Sequence, residues 1–254
     1  MRLNRIATGW AMTARELVRS RIVLILLLII PTAFYVIVLL ITTRRPMAFK
    51  LASISDKAFF TVSQRDEALI FIGLAAVGAL ASFVALSLTQ RHARENRRLV
   101  LCGFPASELL LAKLGVLIGV VVGVGGYVGA ILPFLFTPRR LVLVLIGFIM
   151  GGYVYGCYGL LIGAIVKREL EGILFIVLLA NFDIGWLQNP LYYAEAQNQA
   201  VIRRLPGYFP SQMSMAAAFT DHSVLLPFLG SLAYGTVFLA AALAIFRRKL
   251  RIRT

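Results

Sequence analysis

The chain has 254 residues, of which 60% are hydrophobic and only 15% charged, and its mean hydropathy is +0.86. A soluble domain of this size must clothe its surface in polar groups, and this chain has too few, so lipid is the solvent for much of it. Lysine and arginine outnumber acidic residues by 26 to 11, but they lie between long apolar runs; that placement excludes the solvated, aromatic-interleaved surface of a nucleic-acid binder and points to membrane topology.

Segment 1–21 sets Leu3, Ala7, Trp10, Ala14 and Leu17 on one side of a helix and Arg2, Arg5, Arg15, Glu16 and Arg19 on the other. This predicts a helix along the inner membrane surface, anchored by Trp10 in the headgroup layer and by Arg15 against anionic lipid. Residues 22–42 carry no charge over a length that covers the ~30 Å hydrocarbon core, and make the first span. Their run is too long for a cleavable signal peptide. Uncharged runs at 68–89, 114–136, 141–166 and 224–246 make spans two, three, four and six. The run 172–188 is shorter and contains Asp183; it counts as span five, because an odd number of spans would strand the basic tail outside. The expected fold class is therefore all-α and integral to the membrane, a single domain over 1–254, with short external helices between spans five and six.

With both termini in the cytosol, inner segments hold 17 lysines and arginines and outer ones 9, the distribution that the positive-inside rule favours. The 43–66 loop runs against the trend, since Arg44, Arg45, Lys50, Lys57 and Arg65 lie outside. Glycines recur four apart at Gly115, Gly119 and Gly123 in span three, and as Gly147/Gly151, Gly152/Gly156 and Gly159/Gly163 in span four. That spacing predicts close packing of spans three and four on each other. Segment 187–223, with Pro190, Pro206, Pro210 and the short stretch SQMSMAAAF, predicts short external helices that dip into the outer membrane edge. Either they seal a vestibule or they form a long outer loop.

Catalytic signatures are missing. There is no GxxxxGK[ST] run and no Gly-Lys dipeptide to cradle a phosphate. His92 and His222 fall on opposite sides of the membrane, Cys102 and Cys157 read as ordinary packing residues, and Ser107, Ser211, Ser214, Ser223 and Ser231 lack a neighbouring histidine or lysine at membrane depth to serve as base. No metal site, cofactor or catalytic residue is expected on this chain. Asn181 and Asp183 are the candidates for lining a translocation route, because a carboxylate inside a span normally faces a cavity or a partner. Trp186 and Gln188 mark the outer interface nearby, so the expectation leans to a carboxylate wetted there.

Between spans two and three, residues 91–115 read RHARENRRLVLCGFPASELLLAKLG. Gly103 permits a turn, Pro105 suits a first helical turn, and Ala106 to Lys113 predict a short cytosolic helix with Leu109, Leu110 and Ala112 free to dock. The succession Arg94-Glu95, Arg97-Arg98, Leu101, Gly103, Pro105, Glu108, Leu111 and Lys113 resembles the loop in membrane subunits of ABC exporters of the type-2 family. So does the layout of the whole chain, from amphipathic start to proline-bearing helices before span six. The resemblance implies a permease half that pairs with a second copy or a paralogue and docks a cytosolic ATPase dimer, which would bind the ATP and Mg. It assigns the 90–113 loop to coupling, with Phe104 and Leu109 as apolar anchors, Gly103 and Pro105 shaping the lever, and Glu95, Arg98 and Glu108 as charged contacts. It further implies that spans one and five line the dimer interface, where Phe34, Tyr35 and Phe182 would meet a large amphiphilic cargo: a drug, an antibiotic, a lipid or a glycolipid. The location it implies is the plasma membrane. An ion-coupled secondary carrier and a non-transporting scaffold are the other readings; the first normally needs several intramembrane carboxylates and internal repeats.

Overall fold

The computed structural model describes residues 2–51, 59–90, 99, 105–189, 192–193 and 196–251. The protein is an all-α, multi-pass integral membrane protein, with six helices long and apolar enough to cross a bilayer. In chain order they are α2 (Arg21–Ile41), α3 (Gln64–Gln90), α4 (Ala106–Ile131), α5 (Leu141–Ile165), α6 (Glu169–Phe182) with a π-helical turn (Asp183–Leu187), and α9 (Leu225–Arg251). Ahead of them lies α1 (Arg2–Arg19); two short helices, α7 (Gln199–Ile202) and α8 (Tyr208–Phe219), stand between the fifth and sixth. We call the side bearing α1 and the end of α9 the near face, and the opposite side the far face.

The first loop departs from the sequence expectation by forming a hairpin. Strands β1 (Pro46–Lys50) and β2 (Phe59–Ser63) pair antiparallel on the far face, with Met47 opposite Val62. The hairpin runs directly into α3, and the Arg65 guanidinium donates to the Thr42 carbonyl at 2.9 Å, tying the start of α3 to the end of α2. In this way one basic residue of the outlying loop is used to satisfy the C-terminal carbonyl next to α2.

Helices α3 and α5 form the centre of the bundle, and α5's glycines explain how. Gly159 and Gly163 lie against Ser82 and Thr89 of α3, Gly152 and Gly156 against Val121 and Leu117 of α4, Gly147 against Ser214 of α8, and Gly151 against Leu74 of α3, with Pro210 of α8 beyond. Each missing side chain lets a different neighbour approach, so one helix holds three others by dispersion and close backbone contact. The expected pairing of spans three and four is therefore only part of the arrangement. Gly119 and Gly123 of α4 face open space, whereas Gly125 and Gly129 of the same helix pack against Ile149 and Leu145 of α5. By contrast α2, α6 and α9 leave most of their apolar surface uncovered, as in Leu28, Ile29, Leu174, Leu178 and Leu229.

Two further boundaries differ from expectation. Helix α4 begins at Ala106, with Pro105 as its cap, so residues 106–113 are the first turns of span three rather than a separate lever. Helix α3 starts at Gln64, four residues ahead of the uncharged run, because Glu67 is accommodated inside the bundle, 3% exposed.

A methyl group built on Gly159 would stand 2.9 Å from the Ser82 Cα and 3.0 Å from the Ala85 Cβ, whereas on Gly119 it would meet nothing within 4 Å. Gly159→Ala is expected to cost ~1–3 kcal/mol of overpacking, outweighing the ~1 kcal/mol that alanine gains over glycine in a helix. Gly119→Ala keeps only the gain. Thermal unfolding of the detergent-purified protein, followed by circular dichroism, checks the pair; equal midpoints would refute the α3–α5 contact.

Candidate functional site

The fifth apolar helix ends on a buried carboxylate. Helix α6 has 14 residues, about 21 Å at 1.5 Å per residue, and at Asp183 it widens into a π turn in which the Gln188 amide reaches back to the Asp183 carbonyl at 3.0 Å. Single π turns of this kind recur where a helix must redirect a side chain. Ile184, next in sequence, fills the space over Gly78, near the midpoint of α3, and the Asp183 side chain meets Tyr155, near the midpoint of α5. The carboxylate thus lies deep in the bundle and is 1% exposed. This corrects the sequence expectation of a wet carboxylate at the outer interface, and the reason is tertiary: α8 and the segment before it fold back over the position.

Three donors converge on Asp183. Tyr155 Oη and the Gly207 backbone N–H both donate to Oδ2, the latter at 2.7 Å, and Gln188 Nε2 donates to Oδ1 at 2.8 Å. Gln188 Nε2 also reaches the Ile202 carbonyl at 3.3 Å, linking the carboxylate to α7. The three contacts give both carboxylate oxygens a protein partner. Gly207 is the residue that caps α8, so the carboxylate sits at the positive end of that helix and satisfies one of its unpaired N–H groups. A Cβ on Gly207 would lie 2.9 Å from Tyr155 Oη and 3.0 Å from each carboxylate oxygen. Only glycine lets the backbone come this close.

From this point α8 returns to the far face. Pro210 lies beside Gly151 and Ser214 against Gly147, while the carbonyls of Ala217 and Ala218 receive the backbone N–H groups of Arg140 and Arg139 at 3.2 and 2.9 Å. Arg140 Nη2 donates to the His222 carbonyl at 2.6 Å, and Arg139 pairs with Asp221 at 2.6 Å on the exposed rim. Helix α8 therefore runs from beside Asp183 to the far face, bonded at its inner end through the Gly207 N–H and at its outer end by several backbone bonds. The connection 188–207 is tied down separately, by Arg203 Nε donating to Tyr193 Oη at 2.8 Å and Tyr234 of α9 donating to the Arg204 carbonyl at 2.6 Å.

On the near face, Leu109 and Leu110 are buried against Phe246, with Leu243 alongside, in α9. Lys113 Nζ donates to the Leu88 carbonyl at 2.6 Å and Lys249 Nζ to the Ile165 carbonyl at 2.7 Å. Both lysines, Lys113 buried and Lys249 exposed, bond carbonyls in the C-terminal turns of neighbouring helices, the favourable end for a cation. Trp10 lies over Gly115, where a Cβ would stand 2.8 Å from the indole, so α1 is packed onto α4 while half of the ring remains exposed. Arg15 is exposed on the same helix. A cavity of about 380 Å³ opens between α1, α2, α3 and α6, walled by apolar residues such as Leu27, Val84 and Ile173, with Glu16 and Glu169 at its edge.

The candidates read from the sequence separate into distinct places. Glu95, Arg98, Gly103 and Phe104 lie outside the described residues, as does the side chain of Asn181. Pro105 is exposed, Glu108 is buried, and Leu109 is committed to α9 of its own chain rather than free to dock. Tyr35 is buried, its hydroxyl on the Val128 carbonyl at 3.2 Å, whereas Phe34 and Phe182 face outward. Phe182 stacks with Trp186, ring centroids 6.0 Å apart. Gln188 stands in the sequence only as a marker of the outer interface, and Tyr155 and Gly207 are not marked there at all, since a tyrosine in a glycine-rich span and a glycine after a proline carry no signal of a shared partner. Among the described residues no group of three His, Cys, Asp or Glu side chains is placed to hold a metal ion. No family model and no curated protein matches the chain.

Replacing Asp183 by alanine strands three buried donors, and is expected to lower stability by ~2–4 kcal/mol. Tyr155→Phe leaves the carboxylate two of its donors and is expected to cost about 1–1.5 kcal/mol. Unfolding midpoints of the purified variants test this order; a loss from Tyr155→Phe as large as that from Asp183→Ala would overturn the hub.

Proposed function

We propose that the chain is the transmembrane permease subunit of an ABC exporter, moving a hydrophobic or amphiphilic compound outward while a separate cytosolic ATPase dimer binds ATP and Mg. The observation that carries the reading is α8. A polar helix with Ser211, Gln212 and Ser214 buried beside α5 is tolerated at membrane depth only where protein or a water-filled cavity covers it. A short helix buried in the far half of a six-span bundle suits a passage that must open to one side and stay shut otherwise.

The rest of the layout agrees. The amphipathic α1, the six spans and the basic 90–113 loop follow the type-2 exporter plan, and the uncovered faces of α2, α6 and α9 leave room for a second permease copy or a paralogue as well as lipid. In this reading the near face is cytosolic, both termini are inside, and the membrane is the plasma membrane. Because Leu109 and Leu110 join the start of α4 to α9, a push on the 90–113 loop reaches two spans at once. A stiff connection of that kind transmits a stroke that a flexible loop dissipates. A drug, an antibiotic, a lipid or a glycolipid would fit such a route equally.

An ion-coupled carrier is the second reading, and Asp183 at mid-depth is what favours it. Against it stands the carboxylate's neighbourhood, in which protein donors already occupy both oxygens.

Two measurements test the proposal. Cys102 is expected to react with an impermeant maleimide from the cytosolic side alone. A Walker-containing ATPase encoded beside this chain is expected to co-purify with it, and Phe104→Glu to reduce the captured ATPase about tenfold or more, the loss of one apolar hot spot. Labelling from outside, or nucleotide-independent transport by the purified chain, would refute the reading.

A further inference from the structure

The cavity between α1, α2, α3 and α6 is polar at one end and apolar at the other. Its rim lies at the near face: Ser20 stands between α1 and α2, Ser87 in the last turn of α3 and Glu169 at the start of α6. Inward of the rim the walls are hydrocarbon. Ile30 is nine residues into α2 and Leu80 ten residues from the end of α3, about 14 and 15 Å at 1.5 Å per residue. The cavity therefore reaches through one half of the ~30 Å hydrocarbon core.

A space of about 380 Å³ falls in the range of small-molecule sites. Leu27, Ile30, Leu80 and Val84 offer a water molecule none of the two to four polar partners it needs. An apolar occupant instead gives these walls back their dispersion contacts. In a bilayer, at this depth, the apolar matter at hand is an acyl chain.

The rim selects the head. Both charged residues that line the cavity are carboxylates, Glu16 and Glu169. Glu16 is engaged already, which leaves Glu169, exposed in the first turn of α6, to meet a cation. Arginines flank these positions without lining the cavity: Arg19 and Arg21 on either side of Ser20, and Arg168 before Glu169, all three exposed. An acid on the rim with arginines around it complements a head that carries both signs of charge, an anionic phosphate and an ammonium. A primary ammonium has three N–H groups to donate to a carboxylate, and a quaternary one has none.

We propose that this cavity is a lipid site. One acyl chain of an ethanolamine phospholipid of the near leaflet fills it, with the ammonium bonded to Glu169 and the phosphate among Arg19, Arg21 and Arg168. The site goes beyond the permease reading and needs neither a cargo nor an ATPase.

Native mass spectrometry tests it on the full chain, released from detergent micelles after incubation with equal amounts of dioleoyl phosphatidylethanolamine, phosphatidylcholine and phosphatidylglycerol. One ethanolamine lipid per chain is expected to be retained, about fivefold over either of the others. Glu169→Gln is expected to bring that preference within about twofold, the loss of one exposed charge pair. Val84→Trp, which fills the inner part of the cavity, is expected to abolish retention of all three; should it fail to fold, Ile30→Trp takes its place. Equal retention of the three head groups, or ethanolamine retention unmoved by Glu169→Gln or by the tryptophan, marks lipid held on the outward faces and overturns the site. So does the absence of any retained lipid, as when a second copy or another segment of the chain seals the cavity. A result against the site leaves the permease reading standing, and failed co-purification of an ATPase leaves the site standing.

Discussion

In hydrocarbon, a backbone N–H without a partner has no water to turn to, and the helix that begins inside this bundle brings its unpaired N–H groups to mid-depth. The Asp183 carboxylate answers that constraint. It accepts the Gly207 N–H, lies at the positive end of α8, and is itself kept from being an isolated charge by Tyr155 and Gln188. Without it, neither the π turn that ends α6 nor the return of α8 has a reason to stop where it does. The fifth helix is short of the ~30 Å core before the turn, and the missing length is supplied by a helix approaching from the opposite side.

The rest of the bundle is arranged to leave space for this return. α5 uses glycine where it meets α3, α4 and α8, and meets α9 instead through Tyr153, which lies over Gly235. That economy puts the large apolar side chains elsewhere, on the outward faces of α2, α6 and α9. Lipid or another subunit meets those faces, while the polar residues turn inward around α8. The distribution is the reverse of a soluble fold and follows from solvating the protein in hydrocarbon.

The near and far halves are built differently. On the near face, Lys113 and Lys249 cap helix ends and Leu109 and Leu110 bind α4 to α9, so that half is joined across spans. The far half depends on α8, whose polar side chains are buried with some of their hydrogen-bonding capacity unused.

The sequence by itself determined the solvent, the six spans and the amphipathic start, because those depend on length, charge and apolar runs, which lipid reads residue by residue. It also indicated that something short and proline-rich dips inward before the last span. Tertiary structure alone decided the depth of Asp183, since Trp186 and Gln188 suggest an interface until the carboxylate is seen buried against Tyr155 and the start of α8. It alone decided which glycines pack: Gly119 and Gly159 are indistinguishable as letters four apart, and only the neighbour opposite each one separates them. The same holds for Tyr155 and Gly207, distant in sequence and unremarkable there, which become partners because a charge at mid-depth must find donors wherever the fold can supply them.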